Sequence, residues 1–254
     1  VFKNTSGKSL KEFLENYNSG IIYASQGVPV IINRTDNFAI IHDILTLKYH
    51  KSKRYKKYLR NNLEKMKDFM GIVTVSNHTK SDLKDLGFDE NKIDVIYPYI
   101  SENIQPINQS KEEIRRELNL PLNKKIIINV SGSTPNKAND ELPIIAKLSD
   151  DYLLIHVGQE IKGKNILNFQ NVNDEFLSKL YQASDVYLST SLDEGFGIPP
   201  IEAQKFGLPV VARKLGVFDE TMGDSYVNLA EFTWVEEDDL ENGDIDFKVN
   251  NANA

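Results

Sequence analysis

Short apolar runs alternate with amphipathic stretches along most of this chain, the rhythm of strands and helices in a parallel α/β sheet. In the second half, KIIINV (125–130), YLLIHVG (152–158), DVYLSTS (185–191) and LPVVA (208–212) are the runs expected as buried strands. Helices are predicted between them. One covers 141–148, with Asp140 as cap and Pro143 tolerated in the first turn. Another is NDEFLSKLYQA, opened by Asn173, with Asp174 and Glu175 at its positive end and Phe176, Leu177, Leu180 and Tyr181 on one apolar face. A third, PPIEAQKF, begins with two prolines and stops at Gly207.

The first half repeats the rhythm less regularly. VPVIIN (28–33), NFAIIHD (37–43), GIVTVS (71–76) and IDVIY (93–97) are the expected strands. A helix over about 52–69 is predicted to bury Tyr55, Leu59, Leu63, Met66 and Met70. HTKSDLKDL is expected as a helix ending at Gly87. The polar stretch SENIQPINQSKEEIRREL (101–118) suits a crossing between two lobes, read as 1–110 and 111–254. Such a doubly wound α/β arrangement receives ligands at the carboxyl ends of its strands.

Composition narrows the choices. The chain has 254 residues, 40% of them hydrophobic, and a net charge of −7, which places it among ordinary globular proteins. With no cysteine there is no disulfide framework, thiol nucleophile or thiolate metal site. Its apolar runs are far short of a membrane span, and the first residues carry no apolar stretch of a signal peptide, so a cytoplasmic location is expected. Charge is uneven: residues 48–67 hold nine Lys/Arg and one acid, a local +8 in an acidic chain. That balance argues against a general nucleic-acid binder. The basic stretch reads either as a solvated helix or, with Tyr49, Tyr55 and Tyr58 interleaved, as a peripheral contact for anionic membrane.

The segment SLDEGFGIPPIEA (191–203) carries the most chemistry. Glu194 closes a strand-to-helix loop and Glu202 lies in the helix that follows, eight positions on. Gly195 and Gly197 open the backbone to close approach, and the helix start favours an anion. A carboxylate on the helix can hold a ribose diol. A plain glycine turn with a dipole-favoured glutamate explains the same segment without any ligand, and on the segment alone both readings stand. SGSTPNKA lacks the G-x-G-x-x-G spacing, which disfavours hydride chemistry. His50 and His156 read as structural; His78, in a helix's first turn, reads as a capping residue ahead of one that faces the cleft.

Residues 171–224, with NVSGSTPNKAN (129–139), HDILTL (42–47), VSNHTKSDL and KIDVIYPYI in the same order, resemble the GT-B retaining glycosyltransferases of family four, whose signature is Glu-x7-Glu. The resemblance implies two Rossmann-like lobes, with the N-terminal lobe shortened here. It implies that Glu194 faces the donor sugar together with His42, and that Glu202 holds the ribose hydroxyls of the nucleotide. Lys137 would neutralise the diphosphate, with Gly132 and Ser133 beside it; Val172 would meet the base; and Gly195, Phe196, Gly197 and Ile198 would contact sugar and phosphate. Ser133 stands where many members have arginine; Arg213 and Lys214 read as a solvated pair rather than a replacement.

The activity so implied is transfer of a sugar from a nucleotide-diphosphate donor, UDP or GDP sugars first, to a glycan, lipid or protein acceptor with retention, using no metal and no cofactor. The nucleotide-sugar 2-epimerases share the two-lobed fold but do not generally carry the two-glutamate context. The alternative is a non-catalytic module of the same fold that binds a nucleotide sugar or a partner. With His42 so early and little after residue 224 to form closing helices, the chain is expected to be incomplete.

Overall fold

In the computed structural model, residue 15, residues 20–25, residue 27, residues 31 and 32, and residues 35–229 are described. These residues form two all-parallel sheets.

The first sheet has strands β1 (Ile22–Tyr23), β2 (Phe38–Ile41), β3 (Gly71–Thr74) and β4 (Ile93–Val95), side by side in chain order. Residues 31 and 32 of the expected strand 28–33 are not in a strand, and 28–30 and 33 lie outside the described residues. Helix α1 (Leu45–Tyr49) follows β2 directly, and α2 (Lys53–Met66) follows it with Ser52 as N-cap. Leu59, Leu63 and Met66 of α2 are buried as expected. Tyr55 and Met70 are exposed instead: the helix ends at Met66, so Phe69, beyond it, fills the place expected for Met70. Helix α3 (Asn77–Asp85) is capped by the Ser76 hydroxyl, which accepts from the Thr79 amide, and the chain leaves it through Gly87 at φ +84°.

The polar stretch after β4 holds its own helix, α4 (Lys111–Glu117), closed by a reciprocal Ser110–Glu113 capping box. The second sheet then runs through β5 (Lys125–Val130), β6 (Tyr152–Val157), β7 (Ile166–Phe169), β8 (Val186–Ser189), β9 (Val210–Ala212) and β10 (Val227–Asn228). Their spatial order is β10-β9-β8-β5-β6-β7, which is the Rossmann order. The chain starts in the middle at β5, builds outward to β7, then returns to the other side of β5 with β8. The switch point lies between β5 and β8, where Ile127 and Ile128 register with Val186 and Tyr187.

Helices cover both faces of this sheet. Ile114 of α4, Leu180 and Tyr181 of α6 (Asp174–Ala183), Ala203 of α7 (Ile198–Lys205) and Phe218 of α8 (Gly216–Met222) pack on one face. Leu142, Ile145 and Ala146 of α5 (Leu142–Ala146) pack with Leu154 and Leu188 on the other. Asn173 caps α6 as expected. Asp140 does not cap α5: it lies inside a short 3-10 turn, Asn139–Glu141, that runs directly into the helix, and no side chain caps it. β7, short and without a clear apolar alternation, was not among the expected strands.

Candidate functional site

The loops after β5 and β8 leave the switch point together and are tied to each other. The Leu192 amide donates to the Asn136 carbonyl at 2.7 Å, the Asn136 side chain donates to the Asp193 carbonyl at 3.0 Å, and the Thr190 hydroxyl donates to the Lys137 carbonyl at 2.7 Å. These bonds bring two distant predicted residues into contact. Lys137 Nζ lies 2.5 Å from Glu194 Oε1, and the Ser191 hydroxyl donates to the same oxygen at 2.8 Å. Both charged side chains are largely out of solvent, so this is a charge-assisted contact and not a loose surface pair.

Glu202 lies deeper. It is 8% exposed and accepts a hydrogen bond of 2.9 Å from the Tyr181 hydroxyl. Burial pushes its carboxyl above the ordinary range, against the pull of Tyr181. Burial pushes the Tyr181 phenol well above its own range too, so Tyr181 stays a donor at physiological pH. Tyr181 was read only as a core residue. Its place on the buried face of α6 hid the fact that its hydroxyl reaches the next helix.

Helix α7 starts at Gly197, which has φ +87° and sits where a Cβ would come within 2.6 Å of the Phe218 ring. No side chain caps this start. Pro199 and Pro200 carry no N–H, which confines the donors there to the amides of Phe196, Gly197 and Ile198. None of these three has a hydrogen-bond partner among the described residues. Gly132 and Ser133 are exposed on the β5 loop, and a Cβ at Gly132 would meet nothing within 4 Å. A cleft of about 440 Å³ opens on the outer side of that loop, lined by Ser133, Thr134, Gln159 and Glu160 and by Lys51 from the first half. Val172 packs against the core of the second sheet.

His42 follows β2, exposed, and joins Asp43 and Thr46 in lining a smaller cavity of about 200 Å³. Its backbone meets the second half at Gly195: a Cβ there would lie 2.6 Å from the His42 carbonyl oxygen and 3.1 Å from Asp43 Cβ. Only glycine lets the two halves close at this point. Burial raises the Asp43 carboxyl, against a bond of 2.8 Å from the Leu45 amide.

Two other expectations are corrected. Arg213 is not a solvated residue: its guanidinium donates to both carboxylate oxygens of Glu141, at 2.5 and 2.7 Å. His78 does not cap α3, because Ser76 does; its ring faces Asp193 at 3.1 Å. The α3 start is also covered from the second half, since Glu220 of α8 accepts from the Asn77 amide at 2.7 Å and the His78 amide at 3.0 Å. His50 and His156 are structural as read. His50 Nδ1 accepts from the Ser52 amide, while His156 is fully buried between Asn129 and the Gln159 carbonyl, where burial lowers its pKa.

His78, Asp82 and Asp193 form the one group among the described residues that could ligate a cation, and Lys48 already bridges its two carboxylates at 2.8 Å from each. No described helix is long and apolar enough to cross a membrane.

Two parallel α/β halves that meet at a seam are the GT-B arrangement. The solved structures agree on the fold: a sucrose-phosphate synthase from Thermosynechococcus elongatus superposes with TM-score 0.65 at 17% identity, covering 83% of this chain and 60% of that one. The Anabaena protein HepE, solved in complex with UDP-glucose, gives 0.59 at 21% identity over 71% of this chain and 54% of its own. The chain belongs to the glycosyl transferases group 1 family, whose model matches residues 110–238, more than half of its length. It is 31% identical over 221 residues to the O-antigen chain mannosyltransferase RfbU of Salmonella typhimurium, across 79% of this chain and 58% of that protein. The match covers 58% and 52% of two curated relatives and a smaller share of others.

Proposed function

We propose that the protein transfers a sugar from a nucleotide-diphosphate donor to an acceptor hydroxyl with retention of anomeric configuration. The observation that carries this reading is the Lys137–Glu194 contact at the Rossmann switch point, beside helix-start amides left without partners. In this reading the donor diphosphate takes Lys137 from Glu194 and receives the amides of Gly197 and Ile198, with Gly132, Ser133 and Phe196 around it. Glu202, kept in place by Tyr181, accepts from the ribose hydroxyls, and Val172 meets the base. Glu194 and His42 then face the sugar.

The bond from the anomeric carbon to the phosphate oxygen breaks, and its electron pair stays on the phosphate. The acceptor oxygen bonds the anomeric carbon on the same face and passes its proton to a phosphate oxygen. The leaving charge is met by preorganised donors of the protein, the term that usually dominates such catalysis. The reading uses no metal and no cofactor, because that charge is met by Lys137 and the backbone.

A panel of UDP-, GDP- and ADP-sugars tests this reading, with mannosyl and glucosyl donors included because the relatives' names contain those sugars. The expected outcome is a thermal shift with one base class, sugar release or transfer from it, and loss of turnover in Glu194→Ala at nearly unchanged nucleotide affinity. Binding without any turnover would establish the non-catalytic alternative instead.

The basic stretch supports a membrane-facing acceptor side. On α2, the exposed Lys53, Arg54, Lys57, Arg60 and Lys65 have no acidic partner among the described residues, and the Tyr55 and Tyr58 rings stack beside them. Vesicles rich in phosphatidylglycerol should co-sediment the protein at low salt and release it at high salt. Equal recovery with phosphatidylcholine vesicles would refute a charge-driven contact.

A further inference from the structure

Asp193 stands next to Glu194, at the seam between the halves, and is 8% exposed. Its carboxylate is divided between three donors. Oδ2 takes Lys48 of α1 at 2.8 Å, while Oδ1 takes His78 of α3 at 3.1 Å and the backbone amide of Glu194 itself at 2.9 Å. One residue further on, the Gly195 carbonyl accepts from the Ser76 hydroxyl at 2.7 Å, and the Thr79 hydroxyl lies 3.5 Å away. The first half therefore holds the backbone on both sides of Glu194, while the second half holds its side chain through Lys137 and Ser191.

Charge explains the arrangement. Two carboxylates in successive, poorly hydrated positions repel one another unless each has its own cation. Glu194 has Lys137, and Asp193 has Lys48, with Asp82 sharing that ammonium at 2.8 Å. Burial works against ionisation of Asp193, but the bonds from His78 and Lys48 outweigh it and hold its carboxyl below the ordinary range. Asp193 thus remains an anion and a fixed anchor.

We infer that Asp193 is a positioning residue: through Lys48 and His78 it makes the placement of Glu194 depend on closure of the first half onto the second. This rests on the reading of Glu194 as the donor-facing carboxylate. An open seam would free the Asp193 carboxylate and with it the Glu194 amide, so the group that faces the sugar is set only when both halves are in place. The His78 ring is faced by Asp193 across the seam, by Asp82 of its own helix and by Lys48 of α1, while Glu220 of α8 takes its backbone amide. Its bond to Asp193 raises its pKa against burial, so the charged contact is fullest in mild acid and weakens as pH rises through that raised value.

The test uses the full chain and the variants Asp193→Asn, Lys48→Met and the two together. Each single variant should lower kcat about ten- to a hundredfold with the donor dissociation constant unchanged, as expected for a misplaced group rather than a lost binding contact. The double variant should be no worse than the worse single, because both break one link. Lys48→Arg should restore most of the rate.

Two readouts need no turnover. Hydrogen exchange at the amides of Glu194 to Gly197 should quicken in both single variants. The His78 ring, one of only four histidines, should titrate at lower pH in Asp193→Asn. Full kcat in Asp193→Asn, or losses that multiply in the double variant, would overturn the inference. If the parent chain transfers no sugar, the functional reading fails on its own, and unchanged exchange at 194–197 in folded Lys48→Met then overturns this inference separately.

Discussion

The carboxyl edges of the two parallel sheets meet at one seam, but they carry different chemistry. The second sheet ends in a charged set (half-buried Lys137 and Glu194, buried Glu202 and Asp193), in which every member has a hydrogen-bonding or ionic partner. The first sheet ends in an exposed histidine and in hydroxyls and cations that reach across to the second. One half carries the Lys137–Glu194 pair, and the other supplies groups that hold the backbone around it. The lesson is that the site belongs to the contact between the halves as much as to the Rossmann half that bears its carboxylates.

The largest effect should come from breaking the pair that makes the second half distinctive. Lys137→Met leaves Glu194 without its cation and, on the proposed reading, the donor phosphate without its counter-charge. Turnover is expected to fall about a hundred- to a thousandfold, the loss typical of removing a preorganised transition-state donor. A steady-state assay with the donor found in the panel measures it, and a loss below tenfold would contradict the role given to Lys137.

The seam itself is the next target. Gly195→Ala places a methyl group against the His42 carbonyl, 2.6 Å away, and backbone on both sides must shift. A stability cost of about 1–3 kcal/mol is expected from overpacking, with a turnover loss larger than that of any α2 surface variant. Urea unfolding gives the first quantity; an unchanged midpoint would show that the halves do not press together there.

Glu202 separates binding from stability. Glu202→Ala removes the proposed ribose acceptor and should weaken nucleotide binding about ten- to a hundredfold by calorimetry, the worth of one or two bonds to a charged group. Glu202→Gln should do the opposite to stability. A carboxyl raised by burial binds its proton more tightly folded than unfolded, so its contribution favours folding most in acid and is lost as pH rises through the raised value. The neutral amide keeps an acceptor for Tyr181, and the melting temperature at pH 7 should rise by about 2–4 °C. A gain that persisted undiminished at pH 3 would disprove the cause.

The smallest effect is at the rim. Glu220→Ala uncovers the α3 start, which Glu220 caps from α8. About 1 kcal/mol is expected, as for an ordinary helix cap. Because the cap crosses the seam, hydrogen exchange should quicken at Asn77 and His78 and not within β5.

Much of this was legible along the chain. The apolar runs placed β5, β6, β8 and β9, and Asn173 and Gly207 marked where helices begin and end. Glu194 and Gly197 stand out within the two-glutamate glycine loop, but Lys137 is singled out only by the resemblance to the glycosyltransferase family. Asp193 lay inside the same motif, but nothing in its neighbours announces Lys48, 145 residues away, as its partner. Lys48 was hidden in a run of like charges, and Tyr181 on a helix face that reads as core. Arg213 read as solvent-facing because two adjacent cations after a strand give no hint of Glu141.

The sequence by itself determined the alternation of elements, the parallel class of the sheets and the loops that bear the site, because local periodicity and end signals act over a few residues. Tertiary structure alone decided which charges pair and how deeply Glu202 is buried. It also decided that Gly195 is the point where the halves touch. Those outcomes depend on groups far apart along the chain, 57 residues for Lys137–Glu194 and 145 for Lys48–Asp193, where proximity and loss of water, not spacing along the chain, set the energies.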